Sequence, residues 1–207
     1  MRVTFYYVRH GQTLFNKIRR LQGSCDSPLT EQGIREAEKA AEALRSVPFT
    51  RAYCSSSERA VDTAAIILKE RSLKAEPMKG LKEFDFGLMD GALIEQVKPE
   101  MTERRKKDSW KDIGGDDTES ITNRIIRTFS EILSECKDGD RVLIVSHGSY
   151  CLHMLKPLFG IDPVKFREER SKNGAFPVPN GGIMKFEWAD GSWKMLELPT
   201  EPEKFHD

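Results

Sequence analysis

The sequence predicts an α/β fold with a mostly parallel central sheet. Three short apolar, β-prone runs each empty into a cluster of polar residues, and between them lie segments of roughly ten to fifteen residues with apolar side chains at helical spacing. That alternation builds βαβ units, whose ligands gather outside the carboxyl ends of the strands. At 207 residues the chain fits one large domain with a full core, and it shows no internal repeat and no linker, so a single domain over 1–207 is expected.

The first strand is Val3 to Val8, which runs into Arg9-His10-Gly11. A helix follows Thr30, with Ile34, Ala37, Ala41 and Leu44 as its apolar face. Ala52 to Cys54 form the second strand before Ser55, and Ala60, Ala64, Ile67 and Leu68 mark a helix after Ser57. Residues from about Ala92 to Asp117 have weak periodicity, a basic run from Arg104 to Lys107 and a Gly114-Gly115 break, the marks of an excursion around 92–117 that covers a site. Ile121, Ile125, Phe129, Ile132 and Leu133 carry a third helix, and Val142 to Val145 form a strand before Ser146-His147-Gly148. Ile183 to Trp188 and Trp193 to Leu198 flank Asp190-Gly191, which predicts an antiparallel hairpin on the sheet edge.

Thirty-three basic residues balance thirty-three acidic ones, so nothing global points to nucleic acid or to an anionic membrane, and any anion recognition must be local. The apolar runs are too short for a transmembrane helix or a signal peptide, and a cytoplasmic protein is expected. Cys25, Cys54, Cys136 and Cys151 are widely spaced with no C-x-x-C, which predicts reduced thiols rather than a zinc site.

Of four histidines, His10 and His147 both stand at strand ends and both are followed by glycine, which lets a ligand approach the backbone closely. Ser55 to Arg59 offer hydroxyls and a guanidinium at a helix start, where unpaired N–H groups and the dipole favour an anion. These segments resemble the histidine phosphatase superfamily, the group that holds cofactor-dependent phosphoglycerate mutase and many small phosphatases. The resemblance runs through Val8-Arg9-His10-Gly11-Gln12-Thr13 with Asn16; Gln22-Gly23 with Asp26, Pro28, Leu29, Thr30 and Gly33; Ser55 with Arg59-Ala60 and Thr63-Ala64; Leu81, Glu83, Gly87 and Gly91; Glu119-Ser120 with Arg127; and Val145-Ser146-His147-Gly148. It implies a three-layer α/β/α fold of the phosphoglycerate mutase type. It further implies His10 as nucleophile, Arg9, Arg59 and His147 as the phosphate pocket and Glu83 as proton donor.

The residue chemistry agrees. A phosphoryl group in flight needs in-line positioning and cationic donors, and the planar forks of Arg9 and Arg59 match phosphate geometry. Two guanidinium groups near His10 are expected to keep it neutral and nucleophilic, with His147 as a donor imidazole. Asn16, Ser55, Gly148 and the backbone at Gln22-Gly23 are candidate phosphate or substrate contacts, although Asn16 also fits a turn and Ser55 a helix cap. Phe84 and Phe86 flank Glu83 and suit a raised pKa; spacing alone leaves Asp85 as its rival. No metal and no cofactor are expected, since the arginines supply the charge a metal would.

The expected activity is a metal-independent phosphomonoesterase working through a phosphohistidine on small phosphorylated metabolites. Mutases of the family carry Glu-Arg-His-Tyr-Gly where this chain has Glu83-Phe84-Asp85-Phe86-Gly87, so the cation beside the acid is missing. A 2,3-bisphosphoglycerate-dependent phosphoglycerate mutase and a catalytically silent phospholigand-binding module are the alternatives. Sugar phosphates, phosphoglycerate and nucleoside-type monophosphates all stay open as substrates, as does the oligomeric state.

Overall fold

Alternate residues of a strand face opposite ways, and in the first strand, β1 (Arg2–Arg9), both faces are apolar: Val3, Phe5 and Tyr7 join one core cluster, Tyr6 and Val8 the other. A strand buried on both faces belongs inside a sheet covered on both sides. The computed structural model, which describes residues 1–108 and 110–207, places it there. The remaining strands are β2 (Arg51–Ser55), β3 (Glu76–Met78), β4 (Arg141–Ser146), β5 (Ile183–Ala189) and β6 (Ser192–Thr200), in the order β3-β2-β4-β1-β5-β6. The first four in that order are parallel, whereas β5 runs antiparallel to β1 and β6 antiparallel to β5.

The helices are α1 (Leu14–Lys17), α2 (Glu31–Ala43), α3 (Glu58–Ile67), α4 (Ile94–Lys107), α5 (Thr118–Glu135), α6 (Gly148–Phe159) and α7 (Pro163–Lys172). Residues of α2 and α3 bury against Tyr6, Val8, Leu143 and Val145; residues of α5 and α6 bury against Phe5, Tyr7, Val142 and Ile144. The result is the expected three-layer α/β/α arrangement. The C-terminal hairpin forms as the sequence predicts, with Asp190 and Gly191 both at positive φ, the backbone that a two-residue hairpin turn needs.

Two expectations change. Thr30 caps α2 through its hydroxyl, but the buried face is Gly33, Ala37, Ala40 and Leu44, while Ile34 stays 41% exposed. Small residues face inward there because α2 lies close to the loop after β1. Periodicity also marks neither α6 nor α7. The first is apolar nearly all round, with Tyr150, Cys151, Leu152, Met154, Leu155 and Leu158 buried, and the second is charged with Phe166 its one buried residue.

Parallel pairing sets Arg9 opposite Ser146, and Cys54 opposite Val145. The carboxyl ends of β1, β2 and β4 therefore lie side by side, and His10, Ser55 and His147 issue from one edge. Backbone contact with α2 shapes the His10 loop: a Cβ at Gly33 would lie 2.0 Å from the Gln12 carbonyl oxygen, and one at Gly11 would lie 2.2 Å from that of Gly33. In an unhindered helix, Gly→Ala gains roughly 0.5–1 kcal/mol. At Gly33 we expect the sign to reverse, with Gly33→Ala losing about 1–3 kcal/mol through overpacking. Urea unfolding checks this: the midpoint should fall with the slope unchanged, and a raised midpoint would show that the contact relaxes freely.

Candidate active site

Arg59, on the first turn of α3, is wholly buried. A guanidinium has five N–H donors, and four find partners. Nη1 donates to the Cys25 carbonyl and to Asp26 Oδ1, both at 2.8 Å; Nη2 donates to the Gly23 carbonyl at 2.9 Å; Nε donates to His147 Nδ1 at 3.2 Å. One Nη2 proton remains. The segment from Gly23 to Asp26 is thus folded around this side chain, and Gly23 is required there because a Cβ would lie 2.4 Å from the Phe84 carbonyl oxygen.

These bonds fix the proton positions of both histidines. Arg59 Nε can only donate, so His147 Nδ1 must accept, and His147 carries its proton on Nε2, which donates to Ser55 Oγ at 2.7 Å. His10 is the reverse: its Nδ1 lies 2.8 Å from the Gly11 carbonyl, which can only accept, so Nδ1 holds the proton and Nε2 holds a free lone pair. The two rings meet edge to face with centroids 5.2 Å apart. Burial pushes the pKa of each well below that of free imidazole. For His10 the charges of Arg59 and then Arg9 add to that effect; for His147 Arg59 comes next. The guanidinium groups expected to keep His10 neutral are thus the smaller cause of its shift, and burial is the larger.

A cleft of about 370 Å3 is lined by Arg9, Glu83, Gly148 and Ser149 together with Asn16, Leu21, Gln22, Phe86 and Val178; the buried His10, Arg59 and His147 are not among its lining residues. Arg9 donates from Nη1 to the Val178 carbonyl at 2.7 Å, and its buried Nε has no partner among the described residues. The Gly148 backbone packs against that guanidinium; a Cβ there would come within 3.2 Å of Nε. Glu83 sits at the start of α6. Its Oε1 accepts from the Phe84 and Tyr150 N–H groups at 2.8 and 2.6 Å, and Oε2 from Ser149 N–H at 2.9 Å. Burial raises the Glu83 pKa and outweighs the three N–H groups and the Arg59 charge that lower it. With both Oε1 lone pairs used, Oε2 is the oxygen with room for a proton.

The model of the histidine phosphatase superfamily (branch 1) matches residues 5–200. This chain belongs to that superfamily. It is 34% identical over 173 residues to a Yersinia pestis protein named Probable phosphoglycerate mutase GpmB, covering 81% of this chain and 80% of that one. Phosphoglycerate mutase from Bacillus anthracis superposes with a TM-score of 0.78 at 29% identity, covering 95% of this chain and 92% of the other. The alpha-ribazole phosphatase of Shigella flexneri gives 0.78 at 25% identity, with 97% of each chain covered.

The superfamily residues read from the sequence, His10, Arg9, Arg59, His147 and Glu83, come together at this one sheet edge. The remaining candidates divide. Asn16 lines the cleft, with its Oδ1 accepting from Thr13 N–H and from Asn180. Gln22 also lines it, held at both ends by Thr13 and Ser27. Gly23 gives its N–H to Asp90 and its carbonyl to Arg59, and the buried Ser55 hydroxyl is engaged by His147 and the Ser57 N–H. Both hold other site residues rather than facing the cleft. Asp85 is a turn residue whose Oδ1 accepts from Gly87 N–H.

Sequence reasoning missed two positioning residues. Tyr7, an apolar-looking strand residue, donates its hydroxyl to the His147 carbonyl at 2.6 Å and accepts from the His147 N–H. Arg124, one turn before the exposed Arg127 that the motif suggested, donates to the carbonyls of Lys82 and Glu83 and pairs with Asp116 at 2.6 Å. Asn180-Gly181-Gly182, by contrast, reads from the sequence as a strand-entry turn near the site, and there Asn180 donates to the His10 carbonyl at 3.0 Å. α4 presents Ile94, Lys98, Met101 and Arg105, one stripe of the helix, to the cleft.

The opposite tautomers are directly measurable. Nitrogen-15 spectra of the imidazoles should show protonated Nδ1 for His10 and protonated Nε2 for His147. Both should stay neutral as the pH falls through about 6.5, the ordinary imidazole value. Titration of either ring at that value would contradict the burial argument.

Proposed function

We propose that the protein is a phosphomonoesterase that transfers the phosphoryl group to His10 Nε2 and then to water. The observation that carries this reading is the neutral His10, whose Nε2 lone pair is free and which feels the charges of Arg59 and Arg9, the latter lining the same cleft as the buried Glu83 carboxyl. Arg9, with its unpartnered Nε, and Arg59, with one remaining N–H, hold the equatorial oxygens as charge spreads over them. His147 joins by exchanging Ser55 for a phosphoryl oxygen. Glu83, protonated on Oε2, gives its proton to the departing alcohol; as a carboxylate it then accepts one from the water that attacks the phosphohistidine, which frees inorganic phosphate and restores His10.

Phosphatase is favoured over mutase at the residues after Glu83. Phe84 stacks on His153 with ring centroids 4.9 Å apart, and Asp85 is tied into its turn, so neither brings a cation to the acid. A mutase reading has one observation of its own: Arg20, Lys98 and Arg105 line the cleft, where they suit a second anionic group on the substrate. Assays with EDTA present decide between them. Hydrolysis of alkyl and aryl phosphates without 2,3-bisphosphoglycerate supports the phosphatase, whereas efficient bisphosphoglycerate-dependent interconversion of 2- and 3-phosphoglycerate overturns it.

The role of Glu83 separates by leaving group. Proton donation is worth about 10² to 10⁴ in rate, and nitrophenolate, unlike an alkoxide, leaves without it. Glu83→Gln should lose most turnover of glycerol phosphate yet release one equivalent of nitrophenol in a burst from 4-nitrophenyl phosphate. Asp85→Asn should keep both steps; a burst in Asp85→Asn instead would move the acid to that residue.

The pH profile follows from the two shifts. Glu83 must be protonated for the first step, and its pKa is raised, so kcat/KM for an alkyl phosphate falls as pH climbs through that raised value. His10 must be neutral and its pKa is lowered, so the acid limb lies below about 6.5. For 4-nitrophenyl phosphate, burst-phase kinetics should lack the alkaline fall, and an identical alkaline limb for both substrates would contradict the assignment.

A further inference from the structure

Behind the wall formed by Phe86, Arg105, Ser149 and Leu152, which it shares with the catalytic cleft, lies a second cavity of about 210 Å3. Its floor is aromatic: the Phe84, Phe86 and Trp110 rings pack against one another with centroids 5.1 to 5.5 Å apart, and Pro157, Pro163 and Val164 extend the apolar lining. Its polar groups are nearly all cationic or neutral. Arg105 from α4 and Arg167 from α7 line it together with Lys156 and His153.

The charges in this cavity are not cancelled from within. On α4, Arg104 pairs with Glu100 and Asp112, and Lys106 with Glu103, but Arg105 has no carboxylate within ion-pair distance among the described residues, nor has Arg167. Among the described residues the one lining carboxylate is Asp108, which accepts from the Thr118 N–H and hydroxyl at 2.9 to 3.1 Å; its single charge leaves two of the three lining cations, Arg105, Lys156 and Arg167, unbalanced. Arg167 is half-buried and Arg105 exposed; desolvation lowers the basicity of both guanidinium groups, and the charge of Arg167 lowers that of Arg105 further. His153 Nδ1 faces the Ser149 carbonyl at 2.7 Å, and its ring lies flat on Phe84.

Two uncancelled guanidinium groups over an aromatic floor are complementary to an anion carried on a flat apolar body. The volume is below the ~300–1,000 Å3 of sites for drug-sized ligands, which limits the occupant to about one ring with its anionic substituent. We propose that this cavity is a second ligand site, separate from the phosphoryl pocket, that binds small aromatic carboxylates between Arg105 and Arg167. It stands or falls independently of the reaction assigned to His10.

Benzoate is the probe, benzamide its uncharged counterpart, and the protein is first saturated with inorganic phosphate to fill the phosphoryl pocket. The Trp110 indole N–H resonance should shift saturably with benzoate and at least tenfold more weakly with benzamide. Arg167→Gln should raise the benzoate Kd tenfold or more, Arg167→Lys by less, and Arg167→Gln should leave 4-nitrophenyl phosphate hydrolysis unchanged. The proposal is overturned if benzoate and benzamide bind alike, if Arg167→Gln and Arg167→Lys both keep the wild-type Kd, or if phosphate abolishes the Trp110 shift.

Discussion

A guanidinium placed entirely out of water governs this active site. Burying a charge is tolerated only when its donors are matched, and removing a partner from a buried ion pair costs about 3–5 kcal/mol. Arg59 meets that demand by gathering the carbonyls of Gly23 and Cys25, the Asp26 carboxylate and the His147 ring around itself. The loop between α1 and α2, the end of β4 and the start of α3 are joined at that one side chain. Its charge then acts on its neighbours: His147 is fixed as an acceptor toward it, and His10, kept neutral chiefly by burial, is pushed further the same way.

The acid is built by a related contest. A carboxylate at the start of a helix, accepting three N–H groups, would ordinarily be held ionised. Glu83 has those three groups and is still pushed upward, because its burial removes water from it. Arg124 supports this from behind by binding the Lys82 and Glu83 carbonyls rather than the carboxylate. Its charge therefore positions the segment without forming an ion pair that would oppose protonation.

β1, β2 and β4 and their catalytic ends were legible because a central parallel strand has to be apolar on both faces and its ligand-binding residues fall just past its carboxyl end, whereas β3, three residues long with no apolar run, was not. The hairpin was legible because Asp190-Gly191 accepts the positive φ of its turn. What stayed hidden depends on partners distant in sequence. Ile34 fits a helical stripe, yet Gly33 and Ala40 face the core because the Gln12 backbone presses on α2. Tyr7 reads as core and becomes polar only where the His147 backbone meets its hydroxyl. Ser55 and Gly23 looked like ligand contacts; in the fold, their polar groups are used to hold His147 and Arg59. α6 was hidden by having no polar face to set a period.

The central claim is that phosphorus passes through His10 before reaching water. The stereochemical course at phosphorus tests it most directly, because each in-line displacement inverts the centre. Hydrolysis of a phosphomonoester made chiral with oxygen and sulfur isotopes, run in oxygen-18 water, should give overall retention, the result of two successive inversions. Overall inversion would mean that water attacks phosphorus directly and that His10 forms no phosphoenzyme.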